Sequence, residues 1–99
     1  MAEFDSSNLD IVNNEEENRF ETTVDGKVAV AEYMRSGNNI IFTHTEVPVE
    51  LEGRGIANQL AEVALKYAKD QGFKVQPLCP FIRAYVLKHP EYKAISWGM

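Results

Sequence analysis

The apolar pattern of this chain first changes period across the stretch Val47-Pro48-Val49-Glu50-Leu51-Glu52-Gly53-Arg54-Gly55. Before it, short runs rich in β-branched residues and separated by turn residues read as strands. After it, Ile56, Leu60, Val63, Ala64 and Tyr67 recur at spacings of three and four, the single apolar face of a helix. A strand that stops at a proline, a loop with two glycines and a helix N-terminus form an anion-binding arrangement. Backbone N–H groups point out of the first turn, where the helix dipole adds partial positive charge. Glycine leaves that backbone open to a phosphate that a side chain would hold away. The stretch implies a phosphate-bearing ligand.

The rest of the chain fits around this junction. Ile11-Val12 reads as an edge strand and residues 13–18 as a polar turn. Phe20 to Val24, Lys27 to Arg35 and Ile40 to Val47 read as an antiparallel meander, with Asp25-Gly26 supplying a two-residue hairpin turn. In the middle strand Val28 and Val30 fall on one face, and Ala29, Ala31 and Tyr33 on the other. Gly72 is placed to end the long helix, and Phe73 to Leu78 reads as a strand parallel to an earlier one through a right-handed crossover. Pro80, with Cys79 as cap, opens a last helix that His89-Pro90 ends. Tyr92, Ile95 and Trp97 are expected to pack the tail back onto the domain. The fold class is therefore α+β.

Ninety-nine residues with 44% apolar content suit one compact domain with a modest core. Residues 1–9 read as a flexible acidic N-terminus and residues 10–99 as a single domain. The net charge of −5 divides unevenly, because residues 1–18 hold six of the fifteen acids and no Lys or Arg. The remaining nine acids meet ten bases, so the body is close to neutral. That balance argues against nucleic acid, which calls for a clustered basic face. No apolar run approaches the roughly 20 residues that span a bilayer, and no membrane partner is expected. Together with the lone Cys79, this points to a cytoplasmic protein in a reducing compartment.

The glycine loop excludes two common phosphate sites. A dinucleotide fingerprint needs a third glycine where Asn58 stands, and a strand-borne acid further on, whereas Asp70 lies on the helix pattern. A Walker loop needs Gly-Lys-Ser/Thr, which the chain lacks. Val-Pro followed by Gly-Arg-Gly-Ile-Ala instead resembles the acetyl-CoA-binding segment of the GNAT superfamily of N-acetyltransferases, patterned Arg/Gln-x-x-Gly-x-Gly/Ala. Gly55 and Ala57 match its glycine and its final small residue, while Glu52 stands where Arg or Gln is expected. The run from Phe42 to Pro48, with Leu78-Cys79-Pro80-Phe81 and His89-Pro90-Glu91-Tyr92, is similar to the minimal single-domain members often called Yjdj-type.

The resemblance implies a truncated GNAT-like fold. It has a mostly antiparallel sheet of four to five strands, a parallel crossover pair and two helices, without the elements that usually wall the acceptor site. It implies an acetyl-CoA-dependent N-acyltransferase acting on an amine of a small molecule or protein, as a monomer or weak dimer, with coenzyme A as product and no metal. The alternative is a non-catalytic CoA-binding or protein-interaction domain. Pro48 is expected to splay the third strand of the meander so that Val47 and Val49 pair with the pantetheine arm. The diphosphate is expected at Gly53, Arg54, Gly55, Ile56, Ala57 and Asn58, with Lys88 within reach of a CoA phosphate or the adenine. His44 and Glu46, two apart on a strand, share a face and are candidates to hold a base. Cys79 at a helix N-cap is read as an acyl carrier, as a supporting group near the thioester, or as a small core residue. Tyr85 is a candidate to protonate the leaving thiolate, or else a core aromatic.

Overall fold

The structure is a computed structural model and describes residues 9–98. Most of the expected acidic arm therefore lies outside the described residues, as does Phe4. Five strands form one sheet in chain order: β1 (Val12–Asn14), β2 (Arg19–Val24), β3 (Lys27–Ser36), β4 (Asn39–Glu46) and β5 (Lys74–Pro77). The first four pair antiparallel, and β5 joins β4 in parallel after a crossover through helix α1 (Ile56–Gln71). Helix α2 (Pro80–Leu87) follows. The turn between β2 and β3 has positive φ at both Asp25 and Gly26, which matches the right-handed twist of the strands it joins.

Alternation along the strands builds the core. Ala29, Ala31 and Tyr33 of β3 are buried, while Val28 on the other face is 44% exposed. Phe20 and Thr22 lie opposite Ala31 and Ala29, and Phe42 lies opposite Tyr33, so these residues share the inner face. Against it α1 packs Leu60, Ala61, Ala64, Leu65 and Ala68, all without solvent contact. Alanines on both partners let the helix axis approach the sheet closely. Ile82 and Val86 of α2 complete the same cluster. The helices thus cover one face, and β3 leaves Val28 and Met34 exposed on the other.

Two prolines act differently from the sequence reading. Pro48 does not part the strands; it caps a short 3-10 turn, Val49–Leu51. The β4–β5 ladder ends earlier, at Phe42 opposite Pro77, where proline has no N–H to continue it. The backbone N–H of Cys79 donates to the Phe42 carbonyl at 2.9 Å, and beyond that point the two chains separate. Pro90 does not simply end the fold's last helix. It opens a third, short helix α3 (Pro90–Lys93), because a proline fits a first helical turn as well as it breaks a last one. Tyr92 of α3 is buried, and the tail runs on beside β5. There the Val75 N–H donates to the Ile95 carbonyl at 2.8 Å, and the Trp97 N–H donates to the Val75 carbonyl at 2.9 Å. Ile95 packs against the core, whereas Trp97 stays 38% exposed.

A register shift in β4 has the largest effect on the site. Ala31 faces Thr45 and Tyr33 faces Phe42, so β4 spends three steps where β3 spends two. The extra residue is a β-bulge, which reverses the alternation. Beyond it Thr45 lies on the inner face with Ala31. His44 and Glu46, opposite Glu32 and Val30, lie on the helix-free face.

Candidate functional site

The loop before α1 is shaped by two glycines. Leu51, buried at the end of the 3-10 turn, anchors its start, and buried Ile56 anchors the helix. Between them Gly53 and Gly55 have φ of +83° and +77°, a region that residues with a Cβ avoid. Gly55 is the cap of α1, and its carbonyl accepts the Gln59 N–H at 3.1 Å. The N–H groups of Ile56, Ala57 and Asn58 precede that bond and have no helical partner. No side chain caps this end and its first turn carries no acid, the two usual ways of satisfying it. A Cβ built on either glycine would meet nothing within 4 Å, so space lies open over the backbone.

That space is a cleft of about 240 Å³. It brings together Val47, Gly53, Gly55, Ile56, Ala57 and Asn58 from the sequence reading, and adds Leu51, Glu52 and Phe81. Glu52 is the member unfavourable to an anion. Two expected residues lie elsewhere. Val49 is 73% exposed and its carbonyl accepts the Glu52 N–H, so it belongs to the turn rather than the cleft wall. Arg54 turns toward the β2–β3 hairpin, with Nη1 at 3.3 Å from Asp25 Oδ2. A second cleft of about 380 Å³ shares Asn58 and Phe81 with the first and continues to Ala84, Tyr85, Lys88 and His89.

Behind the second cleft lies a carboxylate that no motif or spacing singles out. Glu62 on α1 accepts the Tyr85 hydroxyl at 2.5 Å and the Tyr92 hydroxyl at 2.9 Å, tying all three helices together. The bond from Tyr85 holds the Glu62 carboxyl below the usual carboxylate range, against the effect of burial, and the bond from Tyr92 adds to it. Burial first, and then the bond to Glu62, push both tyrosines well above the ordinary phenol range. The Tyr85 hydroxyl, the candidate proton donor, thus keeps its proton and directs it to Glu62.

The remaining candidates flank the parted strands. Cys79 is 4% exposed, and its Sγ donates to Thr45 Oγ1 at 3.4 Å, a contact that exists because the bulge turns Thr45 inward. Its side chain does not cap α2. His44 Nε2 and Glu46 Oε1 are 3.2 Å apart on the open face, with both side chains more than half exposed. The shared face expected from their spacing is thus present. Thr45 was missed because its inward orientation depends on a bulge that strand periodicity does not reveal. Among the described residues no group of three or more His, Cys, Asp or Glu is placed to hold a metal, and no helix is long and apolar enough to cross a membrane.

Comparison with known proteins agrees with this geometry. The family model of the GCN5-related N-acetyl-transferases matches residues 19–95. Protein NATD1 of Homo sapiens is 40% identical over 63 residues, covering 63% of this chain and 56% of that protein. Protein NATD1 of Xenopus tropicalis is 29% identical over 89 residues, covering 86% and 81%. The matches to the chicken and mouse NATD1 proteins each span 57% of the relative's length. The solution structure of a GCN5-like protein from Staphylococcus aureus superimposes with a TM-score of 0.71 at 28% identity, covering 94% of this chain and 92% of that one. The uncapped glycine loop at α1, the parted parallel strands and these matches lead to one conclusion: this chain belongs to the GCN5-related N-acetyltransferase family.

Proposed function

We propose that this chain is an acetyl-CoA-dependent N-acetyltransferase that binds its cofactor on the helix-covered face of the sheet and its amine on the open face. The observation that carries the reading is the α1 N-terminus, uncapped and free of acid, opening beside the strand edge left bare beyond Phe42 and Pro77. The residues fit the cofactor. N–H groups of Ile56, Ala57 and Asn58 suit a diphosphate, and Val47 with Leu51 offers an apolar wall to the pantetheine arm. When bound, acetyl-CoA supplies an acetyl group activated as a thioester.

The chain's own groups then divide the work. Transfer forms an amide N–C bond and breaks the thioester C–S bond; one proton leaves the amine and one ends on the departing sulfur. On the open face His44 takes the amine proton, and Glu46 at 3.2 Å stabilises the imidazolium. On the inner face the Thr45–Cys79 pair lies where the strands part, with Thr45 accepting a hydrogen bond from the thiol and keeping its own hydroxyl hydrogen to donate to the departing sulfur. The burial of Cys79 favours direct transfer over an acyl carrier. The helix-free face suits a bulky or exposed amine, such as a protein lysine or N-terminus, or a polyamine.

Calorimetric titration with acetyl-CoA and CoA, followed by thiol-release assays over a panel of amines, tests this. Saturable binding with amine-dependent thiol release is expected. Binding without release from any amine would support the non-catalytic CoA-binding reading instead, and absence of binding would sink both. Mass spectrometry after incubation with acetyl-CoA should show no stable acetyl adduct on Cys79; a labile adduct there would restore the carrier role.

A further inference from the structure

At the ends of β4 and β5 away from the parted strands lies a separate cleft of about 370 Å³. Asn39 and Lys74 line one side of it; they are the first residues of the two strands and lie opposite each other in the ladder. Ala94, Ile95, Ser96 and Trp97 of the tail line the other. The ladder ends at Phe42 opposite Pro77, about 10 Å further along the strands, and the proposed cofactor groove lies beyond that point. The tail is held in place as a wall. The Val75 N–H donates to the Ile95 carbonyl at 2.8 Å, and the Trp97 N–H to the Val75 carbonyl at 2.9 Å.

The groups around this cleft favour an anion. None of the six lining residues is acidic, and Lys74 makes no ion pair among the described residues. The side chains of Asn39 and Trp97 make no hydrogen bond there either, so an ammonium, an amide and an indole N–H are left for a ligand. Ser96 is already committed, since its hydroxyl donates to the Tyr92 carbonyl at 2.8 Å. The apolar part of the lining is Ala94, Ile95 and the Trp97 ring, which is 38% exposed and pairs with no other aromatic ring among the described residues. Local charge runs against the net charge of −5. Residues 33–43, 71–78 and 92–98, the runs around the cleft, hold Arg35, Lys74 and Lys93 and no Asp or Glu.

An ammonium beside an exposed indole calls for one negative charge on a flat apolar body. A phosphate dianion would call for a second cation or a row of free backbone N–H groups. The N–H groups of Lys74 and residues 94–97 all donate within the fold, so a carboxylate is the better match. The volume suits a small molecule. We propose that this cleft binds a small aromatic carboxylate, its ring against Trp97 and its carboxylate on Lys74 and the Asn39 amide. Charge-assisted hydrogen bonding and ring stacking then act together. The site shares no lining residue with the two clefts at the α1 N-terminus and does not rest on the acetyl-CoA reading.

Trp97 is the one tryptophan of the chain, so its fluorescence reports on this cleft alone. Titration with phenylacetate should give a saturable change. Phenylacetamide keeps the ring without the charge, and acetate keeps the charge without the ring. Each should bind at least about tenfold more weakly. Lys74→Ala should weaken phenylacetate binding by about tenfold and leave phenylacetamide unchanged, while Lys74→Arg keeps most of the affinity. Lys74 is exposed, so neither substitution threatens the fold. A signal that stays linear in phenylacetate, equal binding of acid and amide, or full affinity in Lys74→Ala overturns the site. Any of these leaves the acetyl-CoA reading standing.

Discussion

Gly55 shows how one residue carries both fold and ligand. Its φ of +77° is tolerated without a side chain, and the N–H groups that follow it form the proposed anion site. Gly55→Ala should cost about 1–2 kcal/mol of stability in denaturant unfolding. It should weaken CoA binding by more than that strain implies, because the new Cβ occupies the space over the backbone. Glu62 makes a second prediction at this scale. Its folded-state pKa is lowered, so its contribution is present above the unfolded value of about 4.3 and is lost as pH falls through the lower folded value. Tyr85 and Tyr92 are raised, so their contribution is complete below about pH 10 and is lost as pH rises from there toward their folded values. Glu62→Gln should flatten both limbs of a melting-temperature against pH curve. A profile identical to wild type would contradict this coupling.

Among the elements, α3 and the tail form a latch. Tyr92 is buried against the core, its hydroxyl reaches Glu62, and the residues after it add a short parallel bridge on the β5 edge. Tyr92→Ala should cost about 3–5 kcal/mol in denaturant unfolding, as expected for a large aromatic removed from a core. A domain of this size holds only a modest reserve, so that single change takes much of it. The elements themselves were legible in advance. The meander, α1 with its glycine end, β5 and α2 follow from periodicity and from the cap and turn residues. What periodicity does not contain is the bulge in β4 or the helix after Pro90, since each depends on how a segment meets its neighbours.

For the whole molecule, one layer of helices covers one face of the sheet and leaves the other open. The proposed cofactor groove and the proposed acceptor face thus lie on opposite sides of the same parted strands. Ligand that binds only the folded state must stabilise it. At about 100 times its dissociation constant, acetyl-CoA should add about 2.7 kcal/mol, which in a chain of this size is a rise of roughly 10–20 °C in melting temperature. Differential scanning calorimetry reads it directly, and no shift at saturating ligand would remove the cofactor from the account.

The sequence by itself determined the strand-loop-helix junction, because glycine, proline and apolar spacing act within a few residues. Six of the residues it named around that junction do line one cleft. Only the tertiary structure decided which side chains meet across the gap. Arg54 turned to Asp25, the Tyr85 hydroxyl came to donate its hydrogen bond to Glu62, and Thr45 came to face Cys79. Each outcome depends on a partner 23 or more positions away in the chain. Register and helix packing set those distances, and no local pattern of residues encodes them.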